Sequence, residues 1–130
     1  MEKKYTFKNL DAYKEAKSLV LMVYSLLKKF PKEENYALCD QLRRAVISVP
    51  SNIAEGSGRN SAKDQAHFIE MAYGSLMEVN CQMDIAYELS YISCEDLVCV
   101  ENKVAKIAAI LSGLRNKCLS LNPNSLNPKP

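Results

Sequence analysis

The sequence predicts an all-α chain: an antiparallel, up-down-up-down four-helix bundle whose second helix is kinked at Pro50. Three observations predict it. Four apolar stretches repeat at spacings of three and four, the period of one helix face. Four of the five prolines lie outside those stretches. The stretches are separated by only a few residues of turn chemistry, which forces neighbouring helices to run in opposite directions.

The first stretch runs from about Asn9 to Phe30. Leu10, Tyr13, Ala16, Val20, Val23, Tyr24, Leu27 and Phe30 fall on one face, and Pro31 ends the helix because proline disfavours helical geometry in the residue before it. The second begins near Glu33–Tyr36 and carries Leu38, Cys39, Leu42, Ala45, Val46, Val49 and Ile53. Pro50 removes one backbone donor and crowds the Val46 carbonyl; the pattern resumes at Ile53, so a kink is expected rather than a break. Gly56 and Gly58 then supply the exit.

The third stretch opens with Ser61 as N-cap and Asp64 three residues on, and Phe68, Ile69, Ala72, Leu76, Val79, Met83 and Ala86 carry its face to about Leu89. Such a helix is ~42 Å long at ~1.5 Å per residue. The fourth opens with Ser93 as N-cap and the acids Glu95 and Asp96 in its first turn, where the helix dipole favours negative charge. Val100, Val104, Ile107, Ile110, Leu111, Leu114 and Cys118 line its apolar side. Residues 1–119 therefore read as one bundle domain. Residues 120–130, in which Ser-Leu-Asn-Pro occurs twice, read as a flexible Asn/Pro/Ser tail.

Composition narrows the function classes. No segment approaches the ~18–20 apolar residues of a membrane span, and no apolar signal region follows the charged start Met1-Glu2-Lys3-Lys4. The expectation is a cytoplasmic protein without a membrane partner. Its five cysteines follow no Cys-x-x-Cys spacing and read as small core hydrophobes. The net charge of +2 hides a segregation. Residues 1–63 carry 12 Lys/Arg against 7 Asp/Glu, residues 64–102 carry 8 Asp/Glu and no Lys/Arg, and residues 103–130 carry 5 Lys/Arg and no acid. Complementary surfaces within or between subunits follow from such a pattern, with basic faces left for an anionic partner.

No catalytic or metal-binding constellation appears, and no cofactor is expected. His67, the lone histidine, has no Asp/Ser or Cys partner at a catalytic or metal-ligand spacing and reads as a surface residue. Cys94 and Cys99 with Cys81 have the wrong spacing for a zinc knuckle. The acids Glu70, Glu78, Asp84 and Glu88 lack the Glu-x-x-His pairs of a di-iron bundle and read as a solvated or interface-facing stripe.

Two groups of residues stand out. Arg44, Ser48, Asn52 and Glu55 lie on one side of the second helix at spacings of four and three. With Gly74, Ser75 and Glu78 of the third helix they form an expected polar seam, Arg44 or Arg59 pairing with Glu55 or Glu78. A buried network that fixes helix register is the favoured reading, a ligand pocket the other. The basic groups Lys28, Lys29, Lys32, Arg43, Arg44, Arg59 and Lys63 cluster near helix ends and along the second helix. They read either as complements of helix dipoles or as a phosphate-binding surface. Arg43 is assigned to the surface and Arg44 to the seam.

Several blocks together resemble one family. They are Phe7-Lys-Asn-Leu10, Phe30-Pro31, Gln41-Leu-Arg-Arg-Ala45, Ser48-Val-Pro-Ser-Asn-Ile-Ala-Glu-Gly56, Arg59-Asn-Ser61, and Phe68 through Ala72-Tyr-Gly-Ser-Leu76 with Glu78. Over about residues 5–120 the chain resembles the bacterial 23S rRNA intervening-sequence proteins, often called simply four helix bundle proteins. The resemblance implies a bundle that assembles into a ring-like homopentamer. It also implies a relation to the accessory variability protein of diversity-generating retroelements, a basic pentamer that works with a reverse transcriptase and nucleic acid. The expected function is therefore a non-enzymatic, oligomeric adaptor associated with RNA or DNA, with Lys29, Arg43, Arg59 and Lys63 as phosphate contacts. The alternative is a scaffold whose acidic third helix docks a basic protein partner, with no nucleic-acid binding.

Overall fold

The computed structural model describes residues 6–120. A short 3-10 turn, Thr6–Asn9, leads into α1 (Asp11–Leu27); a second, Lys32–Glu34, precedes α2 (Leu38–Ser57). Then follow α3 (Ala62–Glu88) and α4 (Cys94–Ser120). The described chain is all-α. Each helix packs on its two sequence neighbours, and α4 returns to α1 to close a four-helix arrangement.

Side-chain contacts give the register. Gln41 meets Gln82 and Ser48 meets Ser75, so numbers rise along α2 as they fall along α3. Lys29 reaches Asp96 while Glu15 reaches Lys103, the same relation between α1 and α4. The core runs the length of the bundle, with Leu19, Leu42, Leu76, Met83, Ile107 and Leu111 fully buried.

Local chemistry explains the helix starts. Ser61 Oγ accepts from Asp64 N at 3.0 Å, capping α3 as its spacing predicts. At α4 the cap is reciprocal: Ser93 Oγ accepts from Asp96 N at 3.0 Å, and Asp96 Oδ2 accepts from Ser93 N at 3.1 Å. The first turn of α2 is supported from outside, by Glu34 Oε1 accepting from Leu38 N at 3.3 Å.

Three expectations need correction. First, α1 is shorter than Asn9–Phe30. Its end tightens into i to i+3 bonds at Lys28, Lys29 and Phe30 as the chain approaches Pro31. Its buried face is also wider than expected: Ala12, Leu19 and Leu26 join Ala16, Val23, Leu27 and Phe30 in the core, while Tyr24 is 40% exposed. Second, α2 starts at Leu38, because the chain from Lys32 to Ala37 turns before it. Third, Gly56 is not an exit. It is buried inside α2, which continues through Pro50 to Ser57, and Gly58 closes it with an ordinary φ of −91°. A Cβ on Gly56 would stand 2.9 Å from Phe68 Cβ, so this glycine lets α2 and α3 approach each other.

α4 reaches Ser120, one residue into the segment expected as a tail. Residues 1–5 and 121–130 lie outside the described residues, and so does the rest of that expectation.

The α3–α4 turn supplies a prediction. Ser90 has φ 67°, the left-handed geometry that closes a helix, with Ser90 N donating to Tyr87 O and Tyr91 N to Ala86 O. Glycine adopts that φ without steric cost, so Ser90→Gly is expected to stabilise the fold by about 0.5–1 kcal/mol. A thermal melt followed by circular dichroism checks it: Tm should rise by a few degrees.

Candidate functional site

The four cations predicted to contact phosphate occupy two ends of the bundle. Lys29 and Arg43 lie where α1 ends and α2 begins; Arg59 and Lys63 lie at the α2–α3 turn. Roughly 21 Å of helix separates Arg43 from Ser57, so the four do not form one patch within a single chain.

Three of the four are engaged. Lys29 Nζ donates to Asp96 Oδ2 at 2.8 Å. Arg43 Nη2 donates to Asn35 Oδ1 at 2.6 Å and Nη1 to the Asn35 carbonyl at 3.3 Å, which ties the turn before α2 to its second turn. Arg59 Nη2 donates to Glu55 Oε2 at 2.6 Å, and its guanidinium lies 4.6 Å from the Phe68 ring centroid. Lys63, exposed in the first turn of α3, makes no ion pair among the described residues.

The polar residues of α2 and α3 divide into three groups. Ser48 and Ser75 share a hydrogen bond of 2.8 Å across the helices, and Asn52 Nδ2 donates to both the carbonyl and the hydroxyl of Ser48 at 2.9 Å. Glu78 Oε2 accepts from Gln82 Nε2 at 3.2 Å, which also donates to Gln41 Oε1. Glu55 joins Arg59 on the surface, away from the other two groups.

Arg44 has no ion pair among the described residues. It lines a shallow polar pocket of about 210 Å³ with Gln41, Ser48, Ser75 and Glu78. Arg44 thus stands among the seam residues although its side chain is exposed, while Arg43 is half-buried against Asn35. Sequence reasoning missed Gln82, which is buried beside Val79, Met83 and Ala86. The available signal was its position one turn after Glu78, on the row that faces α2.

Ion pairs, hydrogen bonds and burial shift the protonation of several groups. The Lys29 ammonium, then the Ser93 backbone N–H, hold the Asp96 carboxyl below the usual range. Lys103 and Lys106 do the same for Glu15. Hydrogen bonding to Glu34 raises Tyr91, and burial raises the Cys39 and Cys118 thiols, so neither cysteine is poised as a thiolate. His67 is exposed, with its ring edge-on to Phe68 at 5.6 Å. Among the described residues no three His, Cys, Asp or Glu come together at metal-binding distance, and no helix is long and apolar enough to cross a membrane.

The sequence profile of the 23S rRNA-intervening sequence proteins matches residues 8–113, most of the chain. The chain belongs to this family. A crystal structure of a protein of unknown function from Bacteroides thetaiotaomicron, assigned to the S23 ribosomal protein family, has a similar fold. It superposes with a TM-score of 0.74 at 17% identity, covering 80% of this chain and 97% of that one. At that identity the likeness concerns the fold. Among curated proteins no sequence matches the chain. The Ser48–Gly56 and Ala72–Leu76 blocks lie within the matched residues, and Ser48 of the first bonds Ser75 of the second across α2 and α3.

Proposed function

We propose that this family member is a non-enzymatic adaptor. In this reading it assembles in the cytoplasm into a ring of identical subunits, a homopentamer, and associates with RNA or DNA. A relation to the accessory variability protein of diversity-generating retroelements belongs to the same reading.

The observation that carries it is the separation of charge. Every lysine and arginine lies outside residues 64–102, and the positive excess falls at the α1–α2 and α2–α3 turns and on α4 from Lys103 onward, because the two cations of α1 and the two of α2 are matched in number by acids of the same helix. Cations at two ends of one chain are too sparse for tight binding. A ring repeats each of them and multiplies their effect by avidity.

Fluorescence anisotropy with structured RNA and duplex DNA across a salt series tests the reading. Binding should weaken steeply with salt, the log–log slope reporting the number of phosphates neutralised. Arg59→Glu with Lys63→Glu should lower affinity about tenfold or more and flatten that slope by about one per cation removed. Lys63→Glu should account for most of that loss; Lys29→Glu, Arg43→Glu and Arg59→Glu should each act less, since those three cations already have partners. Absence of binding at the lowest salt would sink the proposal.

One observation favours a second reading, a protein-interaction scaffold: Lys29, Arg43 and Arg59 are each held by an oxygen of the chain itself. It predicts no retained nucleic acid and a basic protein bound through α3.

A further inference from the structure

Two surfaces of this chain have no partner within the protomer, and their chemistries match. The first is an open groove of about 580 Å³ between α1 and α2, lined by Phe7, Tyr13, Val20, Leu21, Ile47 and Pro50. Leu21 is 73% and Ile47 42% exposed, unusual for large aliphatic side chains on a single helix pair. The rim is cationic. The Lys17 ammonium sits 5.4 Å above the Tyr13 ring, and Arg44 borders the continuation of the groove toward Tyr24. Neither cation has an ion pair among the described residues.

The second surface is the outward side of α3. Met71, Met77 and Ile85 are exposed there, within one strip of the helix surface. Asp84 and Glu88 flank them, also without an ion pair among the described residues. Gly74 lies between the two methionines, and a Cβ built on it meets nothing within 4 Å. A glycine inside a helix costs about 1 kcal/mol relative to alanine. Within the protomer nothing offsets that cost, in contrast to Gly56. A neighbour seated in the notch would.

We propose that the groove between α1 and α2 of one copy receives the α3 ridge around Gly74 of a second copy, apolar surface against apolar surface, with the Lys17 and Arg44 rim facing the Asp84 and Glu88 flank. The occupant is a second copy because one chain carries both halves. Residues 1–63 hold an excess of positive charge, residues 64–102 are wholly acidic in their charged groups, and the net charge of +2 opposes association only weakly. The two surfaces differ, so the contact is head-to-tail and each copy leaves one of each free for the next. Such a contact generates a closed ring or a filament. The inference rests on the assembly proposed above and names the surfaces that join it.

Light scattering after size exclusion, on two variants and their mixture, tests it. Leu21→Glu with Ile47→Glu blocks the groove and leaves the ridge. Gly74→Trp with Met77→Glu blocks the ridge and leaves the groove. All four positions are exposed, and circular dichroism melts confirm that each variant folds. Each variant alone should be monomeric. An equimolar mixture should give a one-to-one dimer that grows no further, because only one intact groove meets one intact ridge.

An oligomeric wild type whose variants keep its mass would overturn the inference and leave the assembly reading standing. Variants that are monomeric alone and stay so when mixed would overturn the head-to-tail pairing. A monomeric wild type would overturn both. Gly74→Ala gives a separate readout: Tm of a monomeric background should rise, while wild-type assembly weakens.

Discussion

Gly56→Ala is expected to destabilise the fold by up to about 2 kcal/mol, the ~1–3 kcal/mol cost of one methyl too many in a packed interface less the gain in helix propensity. The new Cβ would stand 2.9 Å from Phe68 Cβ and 3.4 Å from the Gln65 carbonyl. Neither atom is the free end of a flexible side chain, so α2 and α3 must separate. Helix propensity works the other way, favouring alanine by about 1 kcal/mol, and the observed change is the difference. Thermal and urea melts by circular dichroism on the monomeric Leu21→Glu, Ile47→Glu background measure it, and Gly74→Ala is the matched control there because nothing within the protomer opposes its Cβ. A drop of roughly 5–10 °C for Gly56→Ala beside a rise for Gly74→Ala would show that approach of the helices, not propensity, decides the sign. A rise for both would show that α2 and α3 have room to spare.

Leu76→Ala is expected to cost about 3–4 kcal/mol. Leu76 is fully buried near the middle of α3, the helix that packs on both α2 and α4. Removing its branched end loses transfer free energy and leaves a cavity that two rigid neighbours cannot fill. Leu76→Met keeps the volume and should cost less than about 1.5 kcal/mol. Urea midpoints read both. A loss below about 1 kcal/mol for alanine would mean that the bundle collapses into the space, so that its core is less rigidly packed than the complete burial of Leu76, Val79 and Met83 implies.

The parts of this protein that were legible in the sequence are those in which cause and effect lie within one or two helical turns. Ser61 with Asp64, and Ser93 with the acids after it, set the starts of α3 and α4 through bonds between near neighbours. Periodicity located the core of α2 from Cys39 to Ile53, because polar residues alternate clearly with apolar ones there. On the α1 stretch it placed Ala16, Val23, Leu27 and Phe30 correctly but missed Ala12, Leu19 and Leu26 and put Tyr24 inside, because Leu19 to Leu27 is apolar nearly all round and several faces compete. Packing chose the face holding Leu19, Val23 and Leu26, and left Leu21 and Tyr24 outside as part of the groove.

By itself, then, the sequence determined the number of helices, the starts of α3 and α4, and the unequal distribution of charge along the chain. Those follow from local hydrogen bonding, from backbone stereochemistry at Pro31, and from composition. Only the tertiary structure decided which cations are free and which are held, since Lys29 meets an acid 67 residues away while Arg44 meets none among the described residues. It also changed the reading of two glycines, Gly56 expected at the helix exit but pressed against Phe68, and Gly74 expected in the seam but with open space where a Cβ would stand. The physical reason is the same in each case: what a side chain or a missing one does depends on the helix brought against it, and no spacing along a single helix specifies that neighbour.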